Sequence, residues 1–156
     1  MSSIIIGIDP GPEWQSCVMY EPKMKRVLSC AAFRNNFKHD FFTHSDIAIE
    51  WIESFGMAVG REVFQTVFQI GRIREQLGCV RLIPRRDVKL TLCHSSRAKD
   101  TNVRQALIDT IGVVGTKKNP GPLYGVSGHY WAALGVAYTA SIFPVTEHEA
   151  FFHVDK

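Results

Sequence analysis

No stretch of this sequence approaches the roughly 20 apolar residues that a membrane helix requires. With 46% hydrophobic and 21% charged residues, the composition also excludes a disordered chain, a collagen or a coiled coil. Cysteine is scarce and unpatterned. Cys17, Cys30, Cys79 and Cys93 lack CxxC spacing, which argues against a zinc knuckle or a disulfide framework and leaves them as small buried apolar residues. A basic leader is missing from the opening MSSIIIGIDPG, whose apolar run stops at Asp-Pro-Gly; no signal peptide is read there, and a cytoplasmic setting is expected. Repeats and linkers are absent as well, so the 156 residues read as one domain over 1–143 followed by an acidic tail over 144–156.

Overall charge is small, at +3, but it is segregated: residues 72–118 hold eleven Lys/Arg against four Asp/Glu, and the remainder of the chain is net acidic. A positive block of this kind suits a polyanion such as nucleic acid, although many helical domains carry basic faces with no such partner.

Along the chain, Ile4–Asp9 is a β-rich run closed by Pro10-Gly11-Pro12, which puts Asp9 at the C-terminal end of a buried strand. Gln15–Tyr20 and Arg26–Phe33 read as two further strands of an antiparallel meander, and Phe37–Thr43 as a short helix. Ile47–Ile52 is another strand. From Arg61 to Leu77 the apolar residues Val63, Phe64, Val67, Phe68, Ile70 and Ile73 recur at helical spacing, with Gly78 as the stop. Val80–Pro84 reads as a strand, Asp87–Cys93 and Thr101–Ile111 as helices, and Gly115–Gly125 as a mobile loop. The last helix, roughly Gly128–Ile142, is rich in small residues that allow close packing on a sheet. Strands first, then strands alternating with helices, predict an α/β fold with a mixed five-stranded sheet and helices on both faces.

Two carboxylates stand out. Asp9 and Glu50 each sit in or just after an apolar run (IIIGID, IAIE), and their strands have the spacing to be parallel neighbours. Asp-Pro-Gly is also a common turn opener, and a lone strand-edge Glu is unremarkable. A pair of converging buried carboxylates is costly, however, unless they share a proton or a hard cation such as Mg²⁺ or Mn²⁺. His129 opens the last helix, where a neutral imidazole suits a metal ligand or a water-orienting base. Arg97 and Lys99 precede a helix that Ser95, Ser96 or Asp100 could cap, and Lys117 and Lys118 sit in the Gly/Pro loop; both pairs are candidate phosphate contacts. Trp14, Trp51 and Trp131 are candidates for base stacking, with burial the commoner fate.

Four blocks, taken in order, resemble the RuvC-like Holliday-junction resolvases of the RNase H-like nuclease superfamily. They are IIGIDPG with Asp9, IAIEWIESFGMAVGREVFQTVFQIGRI with Glu50, RRDVKLTLCHSSRAKDTNVRQALI, and HYWAALGVAY with His129. The resemblance implies a divalent-metal-dependent endonuclease for four-way or other branched DNA. Asp9, Glu50 and His129 would be its metal and catalytic residues, and the basic segment before the Thr101–Ile111 helix its DNA contact. It also implies a homodimer with the Arg61–Leu77 helix near the two-fold axis. Ala132 stands where the family carries its last Asp, so Glu53, Asp100 or the acidic tail is a candidate substitute ligand. The short segment before Glu50 resembles virus-encoded relatives, for which the host cytoplasm would be the setting. Two alternatives remain open at this stage: a catalytically silent branched-DNA-binding protein, and a nuclease acting on flaps or RNA–DNA hybrids.

Overall fold

The computed structural model describes residues 4–38 and 46–143. Among the described residues five runs form strands: β1 (Ile5–Pro10) and β4 (Asp46–Trp51), both rich in isoleucine, with β2 (Trp14–Glu21), β3 (Arg26–Arg34) and β5 (Arg81–Pro84). They make one sheet in the order β3-β2-β1-β4-β5. β1, β2 and β3 are antiparallel neighbours, whereas β4 runs parallel to β1 and β5 parallel to β4. Four helices complete the described residues: α1 (Arg61–Leu77), α2 (Arg85–Cys93), α3 (Asp100–Ile111) and α4 (Tyr130–Ile142). The mixed sheet and the helices on both faces are as the sequence predicts.

Alternation along the strands divides the core in two. Ile6, Ile8, Ile47 and Ile49 face α1, where Ile70 and Ile73 cover them. Ile5, Val18, Tyr20 and Ala48 face the opposite side, against α4 with α2 and α3 behind it. Gly7 lies on this second face. A Cβ there would stand 2.0 Å from the Ala133 carbonyl oxygen and 2.8 Å from Ala137 Cβ, so the glycine is what lets α4 lie directly on β1. Gly135 does the same on the outer side of α4, where a Cβ would meet Val88 of α2 at 2.9 Å. The small residues of α4 are thus explained by a helix packed on two sides.

Several expectations are corrected. Phe64 and Phe68 share the helical period of α1 but are 66% and 67% exposed; Thr66, Ile70 and Ile73 make the buried stripe instead. Cys79 is exposed, and only Cys17 is fully buried. α3 is capped by neither Ser95, Ser96 nor Asp100. Its N-cap is Lys99, whose backbone N–H donates to Asn102 Oδ1 at 2.9 Å, while Ser95 Oγ accepts from the Arg97 N–H. The 115–125 segment is fastened rather than free, with Leu123 fully buried and the Val27 N–H donating to the Pro122 carbonyl at 2.8 Å. The helix expected over Phe37–Thr43 and the acidic tail fall largely or wholly outside the described residues. No described helix is long and apolar enough to cross a membrane.

Candidate active site

The parallel register of β1 and β4 sets Ile8 opposite Ile49, so the residues that follow, Asp9 and Glu50, end side by side at the carboxyl edge of the sheet. Alternation turns both toward the α4 face, since Gly7 and Ala48 lie beneath that helix. Ligand sites in open α/β sheets form at this edge, beyond the strand ends. The turn after Asp9 is pinned by Asn35 at the end of β3, whose Nδ2 donates to the Gly11 carbonyl at 2.9 Å.

Both carboxylates are largely withdrawn from solvent, with side chains 15% and 11% exposed. Asp9 is perturbed by Glu50 beside it. Burial, then the repulsion and hydrogen bond of Glu50, push its pKa up to about 8; Asp100 adds to this, and Arg85 works against it. His129 caps α4, and the Gly7 approach brings that end of the helix over Asp9, with Nδ1 3.2 Å from Asp9 Oδ2. The ring itself is exposed.

Arg85, the first residue of α2, completes the cluster. One residue beyond the end of β5, it donates from Nη1 to Glu50 Oε1 at 3.0 Å and from Nη2 to Asp100 Oδ1. Burial disfavours its charge, but Glu50 and Asp100 outweigh that and raise its pKa above the ordinary arginine value. Sequence reasoning missed this residue. The usable signal was topological: if β5 lies parallel to β4, a side chain just past its end stands beside Glu50.

Asp9, Glu50, His129 and Asp100 are therefore brought together. Glu53 is exposed in the segment after β4, and Asp9 takes its proton affinity from other groups. Among the described residues no three of the His, Cys, Asp and Glu side chains form a ready-made ligand cage. The donor set nevertheless suits Mg²⁺ or Mn²⁺, because such ions commonly take one or two carboxylates and fill their remaining positions with water and phosphate oxygens. A carboxyl whose burial and neighbour keep it protonated is also a place where a cation relieves repulsion.

Basic residues surround the edge unevenly. A cleft of about 350 Å³ beside the carboxylates is lined by Phe55, Arg85, Arg86, Lys89 and Ser96. Lys99 is exposed next to Asp100. Arg97 lines a second cleft between α2 and α3, together with Ser95, Asn102 and Asp109. Lys117 and Lys118 are exposed on a turn closed by Thr116 and Asn119, beyond the opposite end of α3 from Asp100. Trp14 is half exposed under the Arg34 guanidinium. Trp131 packs against the core with Arg104 over its ring, and Trp51 is part of the α1-side core.

No family model and no curated protein matches this chain. Solved structures do. Thermus thermophilus RuvC matches at 16% identity with a TM-score of 0.59, over 88% of this chain and 93% of that one. T. thermophilus RuvC in complex with Holliday junction substrate matches at 18% identity with a TM-score of 0.59, over 89% and 93%. At this level of identity the likeness is one of backbone, and it establishes that the chain has the RuvC-like, RNase H-like fold.

Proposed function

We propose that the protein is a metal-dependent endonuclease that hydrolyses phosphodiester bonds in branched DNA, four-way junctions foremost. The observation that carries this is the buried Asp9–Glu50 pair at the carboxyl edge of a RuvC-like sheet, with a basic cleft beside it. One of the solved structures with this fold is bound to a Holliday junction, which makes that substrate the first to try.

Asp9 and Glu50 would hold the Mg²⁺ or Mn²⁺ ion. Bound there, the cation would polarise the scissile phosphate and acidify an attacking water. Asp9 must lose its proton to serve as a ligand. Once ionised, it accepts the Nδ1 proton of His129 and fixes the tautomer whose Nε2 is free to orient a water. Arg86 and Lys89 line the cleft beside Arg85, Lys99 is exposed next to Asp100, and with Arg97 they can carry backbone phosphates. Lys117 and Lys118 would meet a more distant arm of a large substrate. Asp100 stays near the cluster through Arg85 and is the acidic neighbour that partly makes up for Ala132.

A homodimer would set two such sites against opposing strands, as paired nicking requires. The exposed Phe64 and Phe68 of α1, with Phe55 and Met57 before it, support this helix as the contact.

The test is nicking of four-way junction, flap, RNA–DNA hybrid and linear duplex in Mg²⁺ and Mn²⁺ by the wild type and Asp9→Asn. Junction-selective nicking that falls at least ~10³-fold in the variant, with junction affinity kept, is the expected result. Wild-type protein that binds junctions and never nicks in either metal points to a silent binding module, and preferential cutting of hybrid or flap overturns the junction assignment.

A further inference from the structure

We infer that Arg85 is a built-in positive charge occupying the second cation position of the carboxylate cluster, so that the site loads one divalent ion instead of two. This rests on Asp9 and Glu50 being the cation seat.

Strand order provides the first observation. β4 lies between β1 and β5, so Glu50 has Asp9 on one side and Arg85 on the other. Arg85 does not chelate a single carboxylate with both nitrogens. It spreads its fork, giving Nη1 to Glu50 and Nη2 to Asp100, and so bridges two carboxylates as a metal ion would. Unlike a metal ion it is tethered, since it leaves the end of β5 directly into α2.

Charge count gives the second observation. Asp9, Glu50 and Asp100 supply three negative charges when ionised, while Arg85 and one divalent ion supply three positive ones. A second divalent ion would leave the site with excess positive charge and would have to displace a partly buried, two-point ion pair. Among the described residues, the side of the cluster nearer α4 offers no further carboxylate. Ala132 lies one helical turn past His129, and the ring contributes nitrogen only.

The experiment counts ions. Full-length protein is titrated with Mn²⁺ alone, following free Mn²⁺ by electron paramagnetic resonance and inspecting the bound signal for coupling between ions. Expected are one Mn²⁺ per chain for wild type, none at this site for Asp9→Asn, two magnetically coupled ions for Arg85→Met, and one again for Arg85→Lys, which restores the charge. A coupled pair in the wild type overturns the inference, and that measurement decides even if Arg85→Met fails to fold. A folded Arg85→Met that still binds one ion also overturns it and leaves the Asp9–Glu50 seat standing. Wild type that binds no more Mn²⁺ than Asp9→Asn removes the seat itself, and the role of Arg85 with it.

Discussion

Asp9 owes its chemistry to being buried beside another acid. Its pKa of about 8, against 3.8 for an ordinary aspartate, means that between these values the folded protein holds a proton the unfolded chain has released. The stability that this proton contributes to the metal-free protein is therefore fully present below about pH 4 and is lost as pH rises toward 8. Thermal melts in chelator should show the melting temperature falling between about pH 5 and pH 8. Asp9→Asn, which cannot ionise, should flatten that slope and stabilise the protein at the upper end by about 1–3 kcal/mol. A steeper slope in the variant would contradict the burial argument. Gly7 acts at the same scale through space instead of charge. Gly7→Ala drives a methyl into the Ala133 carbonyl, so α4 has to lift and carry His129 away from Asp9. A stability loss of about 1–3 kcal/mol in denaturant titration, with a larger fractional loss of nicking, is expected.

Elements differ in how far their sequences foretold them. α1 runs from Arg61 to Leu77, the limits its periodicity predicts, because Gly78 takes a positive φ of 74° and ends it. β1 to β5 likewise fall within about two residues of their expected limits. Periodicity did not reveal which apolar residues of α1 find partners. Ile70 and Ile73 meet the sheet isoleucines, while Phe64 and Phe68, one turn apart, are left to solvent. If α1 carries the proposed homodimer contact, Phe64→Ser with Phe68→Ser abolishes self-association in sedimentation experiments and leaves the melting temperature of dilute protein within a few degrees. Dimers that persist unchanged would place the contact elsewhere. The 115–125 loop is held in place for a related reason. Its Gly and Pro content signals a turn, whereas the bonds from Val27 and the buried Leu123 that fasten it come from distant parts of the chain.

At the scale of the whole molecule, the basic surface is distributed and not focused. Arg86 and Lys89 lie in the cleft beside Arg85, Lys99 next to Asp100, Arg97 at a neighbouring cleft, and Lys117 and Lys118 at a far turn. If a branched duplex spans them, the logarithm of junction affinity falls linearly with the logarithm of salt, and Lys117→Ala with Lys118→Ala flattens that slope by about 1–2 units without altering the nicking rate of bound DNA. An unchanged slope removes the loop from the interface. The sequence by itself determined the strands, the helices and the two acids at strand ends, because these follow from local periodicity and from the cost of burying a charge. Only tertiary structure decided that Arg85 and Asp100 join those acids. A charged side chain just past a strand end is indistinguishable from a solvated one until the parallel neighbour that it faces is known.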